Sequence, residues 1–278
     1  MGKILITVIA LMSFWVEANL VIHPIRVQFN SGDRSTEVTL LNDSKTTNTY
    51  RLELQDKKAK KGGGYIDLTA DTINGFPTAS SMIRFTPRQV TLKPGERQTI
   101  KLSLRRPARL AEGEYRSHLL FKALPPPASL ARPDEQTAGL TMRLNLVTSF
   151  VIPVVVQHGT ANSKVSLAAA SIHYDTTTPS KSNVLVEINR VGKFSTYGDL
   201  EAYWTPQGGK ERLIAKAASF SAWPELNNTS IALAWVGADF APSNGKLRIL
   251  YKGMRDFRGQ TIFDTAIQID RSAIKTMN

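Results

Sequence analysis

Along most of this chain hydrophobic and polar residues alternate with a period of two, and no stretch carries a convincing helical period. The clearest run is 139–159, GLTMRLNLVTSFVIPVVVQHG. Leu140, Met142, Leu144 and Leu146 fall on one face, and Thr141, Arg143 and Asn145 on the other. From 150 to 156 the polar partners disappear, so the segment reads as a strand buried on both faces and interrupted by Pro153. A strand of this kind is either an ordinary member of a β-sandwich core or one lent to the open sheet edge of another protein.

The rest of the chain predicts short strands separated by turn residues. Residues 20–30 alternate around Ile22, Ile25, Val27 and Phe29, and 35–41 follow a turn at Ser31-Gly32-Asp33. Alternation resumes over 49–54, 99–104 and 117–124, with Lys93-Pro94-Gly95-Glu96 as a turn and Pro125-Pro126-Pro127 as a stop. The run Lys57 to Gly64, basic and then glycine-rich, reads as a solvated loop. Strands at this spacing predict a seven-strand immunoglobulin-like sandwich. After Gln157-His158-Gly159-Thr160, strands near 165–174, 184–189, 198–204, 213–220, 230–235, 246–251 and 261–269 predict a second one. The expected fold is therefore all-β, two sandwich domains on a short hinge, spanning 19–157 and 158–278.

The first 18 residues stand apart from this pattern. Lys3 is followed by an apolar run to Val16, and Val16-Glu17-Ala18 offers small residues for cleavage, so 1–18 reads as a signal peptide of an exported protein. No later segment has the roughly 18 apolar residues that span a bilayer, which predicts no stable membrane insertion. The chain has no cysteine, which removes disulfides, thiol catalysis and thiolate metal sites. Its formal charge of +12 suits an acidic or carboxylate-bearing partner or a membrane surface. Nucleic acid is a poor candidate without aromatic or glycine-rich binding motifs.

With both sandwiches placed, the N-terminal half resembles the periplasmic chaperones of chaperone–usher pilus assembly, in a divergent archaic or alternative branch. The matching pieces are HPIRVQF at 23–29, FTPRQVTLKPGE at 85–96, the strand 115–124 ending in Pro125-Pro126, and the alternating strand 140–152. The second half agrees in size and strand content only. The resemblance implies two immunoglobulin-like domains in an L or boomerang arrangement. It implies a periplasmic protein that holds pilin subunits lacking a strand, fills their groove with its own strand around 139–152, and delivers them to an outer-membrane usher. The donor row would be Leu140, Met142, Leu144 and Leu146. The family anchors the subunit's terminal carboxylate with two basic residues, of which the first falls on Arg26. The second, a lysine late in the alternating strand, has no counterpart in Leu146-Val147-Thr148-Ser149-Phe150. Arg116 is the candidate substitute cation, and Thr148 offers a neutral hydrogen bond.

No catalytic constellation accompanies these features. His23, His118, His158 and His173 have no metal-ligand spacing, and neither a G-x-S-x-G elbow nor a phosphate loop occurs. Asp56, Asp67 and Asp71 lack the spacing of a calcium loop. The expectation is a non-enzymatic binding protein without metal or cofactor. The alternative is an exported structural pilin or adhesin of two immunoglobulin-like domains. Against it, the first strand begins within a few residues of the expected cleavage site and leaves no donor extension.

Overall fold

A computed structural model describes residues 20–125, 148–237 and 242–277, and all its regular structure apart from short 3-10 turns is β. The first strands are β1 (Val21–His23), β2 (Val27–Phe29), β3 (Ser35–Leu41) and β4 (Asn48–Gln55). Next come β5 (Lys57–Ala59), β6 (Tyr65–Asp67), β7 (Ile83–Thr86) and β8 (Gln89–Leu92). This half closes with β9 (Arg97–Leu104), β10 (Gly113–Leu124) and β11 (Phe150–His158). They form one sheet in the order β1-β3-β9-β7 and a second in the order β2-β11-β10-β4-β8. Between the sheets lies a core that includes Phe29, Val38, Leu40, Tyr50, Ile100, Leu119, Phe121 and Val154. Alternation does the sorting, since in β9 Ile100, Leu102 and Leu104 are buried while the residues between them are exposed.

The stretch 20–30 is not one strand. It breaks at Pro24–Arg26, so that β1 pairs antiparallel with β3 in one sheet and β2 pairs parallel with β11 in the other. A proline lacks the N–H a ladder needs, and here it marks where the chain changes sheet.

The second half comprises β12 (Lys164–Asp175), β13 (Asn183–Val191), β14 (Thr196–Pro206) and β15 (Arg212–Ala222). After these come β16 (Asn228–Trp235), β17 (Gly245–Gly253), β18 (Thr261–Ile269) and β19 (Lys275–Met277). All eight join in a single sheet, β18-β17-β14-β15-β16-β13-β12-β19, which curls until β12 approaches β18. Its own core contains Ile172, Val186, Leu200, Trp204, Ile249 and Tyr251. The seven expected strands are all present, and β19 is an addition at the C-terminal end.

The run Lys57 to Gly64 departs from the solvated loop expected of it. It forms most of a hairpin, β5–β6, whose turn is closed by Lys60 N–H donating to the Gly64 carbonyl at 3.0 Å. Gly63 and Gly64 sit at φ of 95° and 74°, a conformation glycine takes without steric penalty. Lys58, Lys60 and Lys61 face water, while Lys57 is mostly buried and paired with Asp67, and the backbone reaches the second half. The Lys61 carbonyl accepts from Ser230 N–H and from Thr229 Oγ1, both at 3.1 Å. Ala59, Val155 and Trp223 make a small apolar cluster of their own, with Leu226 packed against it, between the two larger cores.

Candidate functional site

The outer edge of β11 is the first feature of interest. Along one side β11 pairs with β10 over its full length, from Phe150 opposite Phe121 to His158 opposite Gly113. On the other side β2 covers only 154–156. Among the described residues, 150–152 therefore present backbone groups with no strand beyond them, and Val151 is exposed. The alternating row Leu140, Met142, Leu144 and Leu146, which leads into this edge, lies outside the described residues. Thr148 is described and exposed.

The two candidate cations come together at the junction between the halves. Arg26, in the bend between β1 and β2, is 2% exposed. It donates from Nη1 to Ser221 Oγ at 3.0 Å and from Nη2 to Ser195 Oγ at 2.9 Å. Arg116, on β10, is 3% exposed and forms an ion pair with Glu225. Both guanidiniums lie over the ring of Trp223, Arg26 at 4.7 Å and Arg116 at 3.9 Å from its centroid. Arg26 also lies 4.9 Å from the Tyr197 centroid. Cations with little water around them gain most from such rings, about 2 kcal/mol or more.

Two carboxylates answer the two cations. Glu114 Oε2 accepts from Ser195 N–H at 2.8 Å and from Ser195 Oγ at 2.6 Å, so Ser195 links Arg26 to Glu114. The other oxygen of Glu114 has no hydrogen-bond partner among the described residues. Glu225 accepts from Nη1 and Nη2 of Arg116 and, at Oε1, from Ala59 N–H at 2.9 Å. Burial pushes the Arg26 guanidinium below its ordinary value, with Glu114 opposing and Arg116 reinforcing that shift. Beside this network a cavity of about 320 Å³ opens between the halves, lined by Phe76, Pro77, Arg116, Lys193, Pro224 and Glu225 among others.

Sequence reasoning reached Arg26 and Arg116 but not Trp223, Glu225, Glu114, Ser195 or Ser221. The one local hint was Trp223-Pro224-Glu225, a large aromatic and an acid beside a proline that ends strand pairing.

His118, two residues from Arg116 on β10, is fully buried, has no hydrogen-bond partner for either ring nitrogen among the described residues, and packs edge-on against Tyr65 of the hairpin at 4.5 Å. Burial, reinforced by Arg116 and Lys57, lowers its pKa from 6.5 to about 3. Between those values the unfolded chain takes up a proton that the folded chain refuses, so acid favours unfolding throughout that window. The loss approaches about 1.4 kcal/mol per pH unit. His118→Phe keeps the ring contact and removes the titration. Denaturant unfolding of the variant should show a shallower fall in stability between about pH 6 and pH 4 than the wild type. Any packing strain would offset both ends of that interval alike, so equal slopes would rule out His118 as a source of acid sensitivity.

Among the described residues no three His, Asp or Glu side chains are grouped to hold a metal ion, and no helix is long and apolar enough to cross a membrane. No family model matches the chain, and no curated protein does either. Several solved structures are similar. The Pseudomonas aeruginosa CupB2 chaperone aligns at 12% identity and a TM-score of 0.46, over 89% of this chain and 98% of that one. The complex of SafA pilin with the SafB chaperone from Salmonella enterica aligns at 14% identity and a TM-score of 0.44, over 90% of this chain and 96% of that one. The CsuC–CsuE chaperone–tip subunit pre-assembly complex, from archaic chaperone–usher Csu pili of Acinetobacter baumannii, aligns at 14% identity and a TM-score of 0.43. It covers 94% of this chain and 100% of that one. The all-β reading itself stands on the strand pairings.

Proposed function

We propose that this protein is a periplasmic, non-enzymatic chaperone of fimbrial subunits, with a signal peptide at 1–18 and domains at 19–157 and 158–278. It caps a subunit that lacks a strand by adding its own segment around 139–152 to the subunit's open sheet, then passes the subunit to an outer-membrane usher. The observation that carries this reading is the outer edge of β11 at 150–152, which no described strand covers and which follows the alternating row 140–146 in the sequence. An incomplete sandwich exposes unpaired backbone and an apolar groove, and an added strand satisfies both. Four row residues buried in such a groove contribute about 6–12 kcal/mol gross, at roughly 1.5–3 kcal/mol each. Ordering and association costs offset much of that, which suits a carrier that must release its cargo.

In this reading Arg26 and Arg116 anchor the subunit's terminal carboxylate, with Thr148 as a neutral neighbour. The test is co-expression with a fimbrial subunit that lacks its final strand. The expected result is a soluble one-to-one complex in periplasmic extracts. A subunit that aggregates equally with and without this protein would rule the reading out.

A further inference from the structure

We infer that Glu225 occupies a carboxylate-binding site at the junction of the two halves, and that a ligand's terminal carboxylate binds there by taking Glu225's place. This rests on the proposed subunit-binding function and adds to it a built-in competitor. Three donors converge on the Glu225 carboxylate: Nη1 and Nη2 of Arg116 and the backbone N–H of Ala59. A guanidinium fork plus one amide is a geometry selective for a planar carboxylate. The fork is held in place, since Arg116 is 3% exposed, lies over Trp223 and donates to the Lys57 carbonyl at 3.3 Å.

The carboxylate is more exposed than the fork. Glu225 projects from the irregular segment between β15 and β16, just after Pro224, and its side chain is 11% exposed. It lines the cavity together with Arg116, whose walls at Phe76, Pro77 and Pro224 are apolar. A carboxylate arriving along the cavity therefore meets Arg116 at the point where Glu225 can leave. Glu112 and Glu114 line the same cavity and disfavour any net gain of negative charge at the fork. An exchange of one carboxylate for another leaves the pairing of Arg116 unchanged, and Lys193 on the same cavity offers the displaced Glu225 a cation. Glu114 is not exchangeable in this way, because it is 4% exposed and its bonds come from Ser195 and not from a guanidinium fork. Nor is Arg26 a site of exchange, since its fork is bound to hydroxyls and holds no carboxylate.

The experiment uses the full chain, with Glu225→Gln and Arg116→Ala, and a short alternating Val-Thr peptide in free-acid and C-terminally amidated forms, titrated by calorimetry. An internal competitor lowers apparent affinity by the fraction of time it leaves the site free. The free-acid peptide should therefore bind Glu225→Gln about tenfold or more tighter than wild type, while the amide binds both alike. Arg116→Ala should abolish the difference between acid and amide. Equal or weaker binding of the free acid by folded Glu225→Gln overturns the competitor and leaves the carboxylate anchor standing. Failure of wild type and Glu225→Gln alike to distinguish acid from amide overturns the anchor and the competitor together. If Glu225→Gln does not fold, the wild type decides the matter. The side-chain carboxyl carbon resonance of Glu225 should move on saturation with the acid peptide and stay with the amide, and no movement in either case overturns the inference.

Discussion

Arg26→Ala should destabilise the folded protein by about 2–5 kcal/mol, the cost of emptying a fully buried side-chain site and of taking away the cation that faces buried Glu114 through Ser195. The guanidinium is buried, and it connects β1 and β2 of the first half to Ser195 and Ser221 of the second. Removing it leaves Glu114 facing the junction with one oxygen already unpartnered, and strips Trp223 and Tyr197 of a cation. Arg190 also acts electrostatically with Glu114, which places the expected loss toward the lower end of that range. Charge and volume are separable. Arg26→Met fills much of the space without the charge, and should lose nearly as much as alanine if the Glu114 carboxylate is what suffers. Adding Glu114→Gln to Arg26→Met should then recover a large part of the loss, a coupling that independent sites would not show. Urea midpoints at one pH measure all three variants. A loss below about 1 kcal/mol for Arg26→Ala would mean that the junction tolerates an empty site, and that the arginine is kept for a ligand alone.

The strands were legible because most of them bury one face. In β13 Val184, Val186 and Ile188 are buried, and Asn183, Leu185, Glu187 and Asn189 between and beside them are less so. The same holds for Leu200, Ala202 and Trp204 in β14. Other features were hidden, each for a physical reason. The break at Pro24–Arg26 preserves the apparent alternation while moving β1 and β2 into different sheets, and only the identity of their partners reveals it. The β5–β6 hairpin reads as solvated because Lys58, Lys60 and Lys61 are, yet its polar contacts with the second half run through the Lys61 carbonyl and the Ala59 amide. Backbone groups leave no mark in a hydropathy pattern. The junction is harder still, because Arg116 meets Glu225 across 109 residues and Arg26 meets Ser195 across 169. Arg26 and Arg116 were reachable only through the family resemblance, which assigns a role to a position and is silent on what surrounds it here.

Met142→Asp combined with Leu144→Asp should abolish recovery of a co-expressed fimbrial subunit while leaving the protein itself soluble. Both residues belong to the row Leu140, Met142, Leu144 and Leu146, whose spacing of two in the sequence is that of one face of a strand. In the proposed function that face enters the subunit's groove, and two carboxylates at its centre would have to be buried there without partners. Burying even one such charge costs several kcal/mol, comparable with everything the row contributes. A single substitution is a weaker test, because the remaining three residues still seat. The control is Thr141→Asp combined with Asn145→Asp, on the opposite face of the same segment. It adds the same charge to the same stretch, so it should leave recovery within about twofold, the effect of a change of surface charge alone. Subunit yield from periplasmic extracts, normalised to the amount of this protein recovered, measures both pairs. If the Met142 and Leu144 pair falls no further than the control, the alternating row does not enter the groove. If both pairs fall together, the segment responds to charge and not to face. Only loss confined to the apolar face matches a strand held in one register, because a slip of one residue would exchange the two faces.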